Sequence, residues 1–150
     1  MRAFGGRRDP GWRQAAGVDG FLAFFRPHLD PDIRLSGPLT PDCHGLGQFS
    51  EFFTLLFDLI PDLHGSVERS EVVDDEVAYV WLQLRGTIGA RPVAFDIRDR
   101  LVVRDGKLVE RAAKGLPLRF MAGVLCTPRA WRRAARLLVR TRWSAPPSPS

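Results

Sequence analysis

At 150 residues, 45% hydrophobic and 26% charged, the chain has the size and composition of one globular domain with its own core. Its longest apolar run, Phe120–Cys126, is far short of the roughly 20 residues of a membrane-spanning helix, and Met1–Arg13 is Gly/Arg-rich rather than apolar. Neither a membrane span nor a secretion signal is therefore expected, and the cytoplasm is the expected compartment. The net charge of +5 is local: Arg129–Ser150 carries six Arg and no acid, and without that +6 the segment Met1–Pro128 stands at −1, which argues against a nucleic-acid-binding body.

Met1–Arg13 reads as a flexible lead-in, followed by a domain over 14–115, a helical extension over 116–143 and a disordered Pro/Ser tail over 144–150. Val18, Phe21, Leu22, Phe25 and Leu29 fall at i, i+3, i+4, i+7 and i+11, which predicts a first helix running to Asp30-Pro31. Ile33 and Leu35 alternate with polar neighbours as a short strand, and Gly37–Gly45 reads as a loop. Phe49, Phe52, Phe53, Leu56, Phe57 and Ile60 make a wide apolar stripe on a second helix, Leu46 to about Ile60, which Pro61 ends.

From His64 the period becomes two. Strands are predicted over His64–Val73, Val77–Ile88, Arg91–Arg104 and Lys107–Ala113. Asp74-Asp75-Glu76 reads as a solvated hairpin tip rather than a cation site, and Asp105-Gly106 is a two-residue hairpin signal. Consecutive hairpins after two helices predict an α+β class, with an antiparallel meander covered on one face by helices. Leu116–Leu125 is a short apolar segment, and Pro128 opens a basic helix over Arg129–Trp143. That helix has three readings: docking through its Trp131/Leu138 side, lying on an anionic membrane, or contacting nucleic acid or an acidic protein.

Asp99 is the leading candidate for chemistry. Val93, Phe95, Ile97, Leu101 and Val103 share its parity, while Asp96, Arg98, Arg100 and Arg104 share the other. A carboxylate on a core-facing register must be paired, hydrogen-bonded or protonated. Two readings follow: a general base in an apolar pocket, or the anionic half of an ion pair with Arg85 or Arg111. His28 follows Phe25 by three residues and is either a proton relay inside the fold or a helix-end histidine. His44, in a Gly/Pro-rich loop, and His64, at the start of a strand, read as surface or pocket-mouth residues. Trp81, Tyr79 and Phe95 are pocket walls or plain core, with Phe21 and Phe25 as further wall candidates. The three His lack metal-ligand spacing, and no phosphate loop or nucleophile motif occurs, so neither metal nor cofactor is expected. Cys43 and Cys126 allow one disulfide without requiring it.

The order of these elements resembles the SnoaL-like polyketide cyclases of the nuclear transport factor 2-like superfamily. The residues that carry the resemblance are Gly45, Ile60-Pro61-Asp62-Leu63, Gly86-Thr87, Asp99-Arg100 and Asp105-Gly106-Lys107-Leu108-Val109-Glu110. The resemblance implies a cone, a strongly curved antiparallel sheet closed by the N-terminal helices over an apolar pocket, and a homodimer formed through the sheet. It also implies cofactor-free proton transfer beside a carbonyl in active members. Similar sequences carry an aromatic residue and an Asp at the end of the last strand, where Ala112-Ala113-Lys114-Gly115 stand here, which leaves Asp99 as the carboxylate candidate. Two functions are expected to compete. One is a cofactor-independent isomerase or cyclase acting on a small hydrophobic carbonyl compound. The other is a non-catalytic ligand-binding or protein-interaction module on the same scaffold.

Overall fold

The computed structural model describes residues 17–38, 42–115 and 118–142. Within them the chain forms α1 (Gly17–Phe25), β1 (Leu29–Ser36), β2 (Cys43–His44), α2 (Gly45–Leu59), β3 (His64–Val72), β4 (Val77–Ile88), β5 (Arg91–Arg104), β6 (Lys107–Lys114), α3 (Leu118–Leu125) and α4 (Trp131–Arg142). The predicted lead-in over 1–13 and tail over 144–150 lie outside the described residues.

The first helix is shorter than its periodicity predicts. It stops at Phe25, Arg26–His28 forms a 3-10 turn, and Leu29 opens β1 instead of ending the helix. Pro27 supplies the reason, because it has no N–H for the α ladder and its ring disfavours α geometry at Arg26.

β3 to β6 form the expected meander, and the Asp105-Gly106 turn has positive φ at both positions, 50° and 74°. All six strands make one curved, unclosed sheet in the order β2-β1-β6-β5-β4-β3. One pairing corrects the purely antiparallel expectation: β1 runs parallel to β6, with Leu35 across from Arg111. This places β1 beside the last strand of the meander, so α1 and α2 can lie over the concave face.

The core lies between α2 and that face. Ile33, Leu35, Phe49, Phe52, Phe53 and Ile60 are all buried there. The α2 stripe packs because its apolar positions recur every three or four residues, matching the helical turn.

Several residues that carry the family resemblance meet at the end of α2. A Cβ on Gly86 would sit 2.2 Å from Ile60 Cγ2, so only glycine lets β4 approach the helix end so closely. Beside it, Asp62 accepts hydrogen bonds from the Thr87 amide and hydroxyl, each at 2.7 Å. Burial pushes the Asp62 carboxyl upward, but these two bonds, its own backbone amide and nearby His64 outweigh it and leave the pKa below the ordinary carboxylate value. A depressed pKa means that the carboxylate form stabilises the fold. That contribution is present above the ordinary carboxylate pKa and is lost as pH falls through the folded value. Asp62→Ala is expected to lower stability by about 1 kcal/mol near neutral pH. Urea unfolding across an acidic pH series should show the gap between variant and wild type closing at the acid end.

After β6 the chain packs back, with α3 on β5 and α4 on α2. Small residues set both contacts. A Cβ on Gly123 would lie 2.7 Å from Val93 Cγ1, and Ala130 and Ala134 are buried against the domain. The expected docking through Trp131 is thereby corrected, since Trp131 is 53% exposed while Ala130 and Ala134 face inward, and the side chain of Leu138 lies outside the described residues. Cys43 is buried and Cys126 exposed, and both are free thiols. Burial, with Asp42 beside it, pushes the Cys43 thiol up to about 11.

Candidate functional site

The register of β5 decides what shares a face with Asp99. Asp99 lies across from Val80 on β4 and Ala113 on β6. Partners directly opposite one another point to the same side, and sequence neighbours to the other. The concave face therefore carries Val80, Leu82, Leu84, Ile97, Leu101 and Ala113 around Asp99. These apolar residues are half-buried, while Asp99 itself is 2% exposed. The alternation over Val93–Leu101 read from sequence is the observed one.

Asp99 has a single cationic partner among the described residues. Arg111 Nε donates to Asp99 Oδ2 at 2.7 Å, one register step diagonally across β6. Arg85, the other candidate, lies on the convex face and donates to Gln83 Oε1. The Arg111 side chain is itself largely covered, and its guanidinium lies 5.8 Å from the Phe53 ring centroid. Asp99 Oδ1 is buried and has no hydrogen-bond partner among the described residues. A buried acceptor without a donor is expensive, so this atom is where the site differs from a closed core.

Aromatic rings form the helical side of the cup. Phe21 lies 4.7 Å from Phe25, 4.7 Å from Phe53 and 5.4 Å from Phe57, centroid to centroid. The expected wall residues Phe21 and Phe25 thus stand on the same side of the sheet as Asp99, and Phe95 packs against the core there. The Arg111 guanidinium lies over the Phe53 ring, a position foreshadowed only by the place of Phe53 mid-stripe on α2.

Three expected site residues lie elsewhere. Tyr79 and Trp81 neighbour Val80 in sequence and so point to the convex face, which corrects their assignment to the pocket. Arg69 covers the Trp81 ring at 4.7 Å and Arg98 the Tyr79 ring at 5.6 Å, so these aromatics are braced by cations across the strands. His28 is exposed in the 3-10 turn, 6.4 Å from the Phe24 ring, and does not reach the cup. His44 accepts from Arg34 Nε, and His64 is exposed at the start of β3. At the Asp74 tip the carboxylate caps the Glu76 and Val77 amides, as a hairpin turn requires. No group of three or more potential metal ligands occurs among the described residues. A cleft of about 350 Å³ opens between Asp62, His64, Arg85 and Thr87 on one side and Pro92–Ala94 on the other, without Asp99 or Arg111 in its lining.

The site is thus a concave apolar wall and a layer of aromatic rings around one charged pair whose carboxylate keeps a buried, unpaired oxygen. Such a site can accept a hydrogen bond or a proton at Asp99 Oδ1. Arg111 uses only its Nε in hydrogen bonding among the described residues, and its remaining N–H groups are donors for a neighbouring oxygen.

The model of the SnoaL-like domain family matches residues 14–111. The chain belongs to the SnoaL-like family. Solved structures agree on the nuclear transport factor 2-like fold. A protein described as a SnoaL-like polyketide cyclase from Jannaschia sp. CCS1 superposes with a TM-score of 0.67 at 22% identity, over 80% of this chain and 87% of that one. IdmH of Streptomyces antibioticus, described as a polyketide cyclase, gives 0.62 at 19% identity over 76% and 93% of the two chains. A protein with a ketosteroid isomerase-like fold from Catenulispora acidiphila gives 0.63 at 12% identity over 76% and 85%. Among curated proteins, none matches the chain. At these identities the neighbours establish the architecture alone.

Proposed function

We propose that this SnoaL-like chain binds a small hydrophobic molecule in its cup, one that carries a hydroxyl or enol donor together with a carbonyl. The observation that carries the reading is Asp99 Oδ1, buried in an apolar wall with no donor of its own. A ligand hydroxyl supplies the missing donor, and the spare Arg111 N–H groups meet an oxygen beside it. The neighbours described as polyketide cyclases fit a ligand of this kind. The same arrangement suits cofactor-free acid–base chemistry: Oδ1 takes a proton from carbon next to the carbonyl, and Arg111 faces the developing enolate oxygen. Isomerisation or ring closure is the reaction class.

A second reading keeps the binding and drops the turnover. It is favoured by Arg111, which already holds one Asp99 oxygen, and by Ala112-Ala113-Lys114 at the end of β6, where no acid stands. The homodimer belongs to the same proposal, with the convex face around Tyr79 and Trp81 as its surface.

Binding of 2-naphthol and 2-methoxynaphthalene separates donor recognition from mere apolar affinity. The wild type is expected to bind the naphthol about tenfold more tightly, the size of one charge-assisted hydrogen bond. In Asp99→Asn the amide oxygen stays with Arg111 and turns an NH2 into the cup, so the preference should vanish. Equal affinity of the wild type for the two probes, or a preference that survives in Asp99→Asn, would overturn the assignment.

A further inference from the structure

We propose that the α3–α4 end of the molecule is a docking surface for an anionic phospholipid bilayer, independent of what the cup binds. From Gly115 to Ser150 the sequence holds seven Arg and not one Asp or Glu. In α4 and the turn before it, Ala130 and Ala134 face the domain, which turns Arg129, Arg132 and Arg136 outward, all exposed. Arg133 is the exception, reaching the Asp58 carbonyl at 3.3 Å and its carboxylate at 3.8 Å, and it fastens α4 to α2. No ion pair engages Arg129, Arg132 or Arg136 among the described residues.

Apolar anchors lie beside these cations. Trp131 is 53% exposed and Leu125 66% exposed, and Met121 one helical turn earlier is exposed as well. Trp131 Nε1 donates to the carbonyls of Val124 at 3.0 Å and Leu125 at 3.3 Å, so the ring is held against the end of α3 with its polar atom satisfied. The ring face and the Leu125 side chain then form a fixed apolar ledge rimmed by arginine. A tryptophan and a leucine held next to a basic helical face match the interfacial layer of a bilayer, where the rings enter the acyl boundary and the guanidinium groups meet phosphate. Nucleic acid would satisfy the arginines and leave the ledge exposed to water. A second copy of this surface would set arginine against arginine. No helix of the described residues is long and apolar enough to cross a membrane, so the contact is peripheral.

The test is co-sedimentation of the full chain with vesicles of phosphatidylcholine and phosphatidylserine, and with vesicles of phosphatidylcholine alone. Binding is expected to the first only, and to weaken with added salt. The variant R129Q/R132Q/R136Q should lose on the order of a hundredfold in partitioning, at about fivefold per arginine near an anionic surface. Leu125→Ser should lose about tenfold while keeping the salt dependence, since it removes apolar insertion alone. Thermal unfolding identifies any variant that fails to fold, and the wild-type lipid and salt comparisons stand without it. Wild-type protein that stays in the supernatant, a folded triple variant that binds like wild type, or tighter binding to a DNA duplex than to the anionic vesicles would overturn the proposal.

Discussion

Arg111→Met is expected to destabilise the protein by about 3–5 kcal/mol, the effect of stranding a buried charge whose partner has been removed. Asp99 is 2% exposed and has one cationic partner among the described residues, at 2.7 Å. With Arg111 gone, both carboxylate oxygens face an apolar wall. The double variant Asp99→Leu/Arg111→Met removes both charges and should recover most of that loss, because apolar replacement of a buried pair is often neutral or stabilising. The comparison is a double-mutant cycle by urea unfolding. A large coupling says that the pair is costly to break. Near-native stability of the double variant says that the pair is kept for something other than folding. A double variant as unstable as Arg111→Met would instead make the ion pair a structural requirement and remove the reason to place function there.

How much of this was legible in the sequence varies along the chain. Asp99 could be placed because β5 alternates: between Val93 and Leu101 it is the one charged residue on the apolar register, and Ala94 is the one apolar residue on the charged register. β4 carries no such contrast. Ala78, Val80, Leu82 and Leu84 occupy one face, while Tyr79 and Trp81 on the other are as apolar by composition, so only the pairing of Val80 with Asp99 tells them apart. Register is a property of two strands, and a strand with two apolar faces does not reveal it alone. The parallel pairing of β1 with β6 joins residues more than seventy positions apart, as Leu35 and Arg111 show, and no local pattern announces it. Its effect on the site is direct, because it brings a fully covered leucine beside Arg111 and closes that flank of the ion pair. The misplacement of His28 has a local cause. The apolar period continues to Leu29, but Pro27 interrupts the helix that would have turned the imidazole inward. On α4 the helical period sets Trp131 and Ala134 on one side, but close approach to the domain buries Ala130 and Ala134 and leaves the bulky Trp131 half exposed.

Phe53→Ala is expected to destabilise by about 3–5 kcal/mol and to change what the cup can hold. Phe53 is buried, its ring centroid lies 4.7 Å from those of Phe21 and Phe49 and 5.1 Å from that of Phe52, and it also stands over the Arg111 guanidinium. It therefore joins both helices to the ion pair. Its removal leaves a void between α1, α2 and β6 that the neighbouring rings fill only in part, since Phe21 is also held by its contacts with Phe25 and Phe57. An apolar void of this kind stays dry and accepts a small aromatic molecule. Benzene is therefore expected to raise the thermal midpoint of Phe53→Ala and to leave that of the wild type nearly unchanged. If the new space is continuous with the cup, Phe53→Ala should also bind 2-naphthol in a pose that reaches Asp99, and its preference over 2-methoxynaphthalene should persist. Benzene stabilisation without that preference would place the void away from the unpaired carboxylate oxygen, with the layer of aromatic rings between them. A variant that loses no more than about 1 kcal/mol would mean that the rings close over the gap and that Phe53 is not the keystone between the helices and the charged pair.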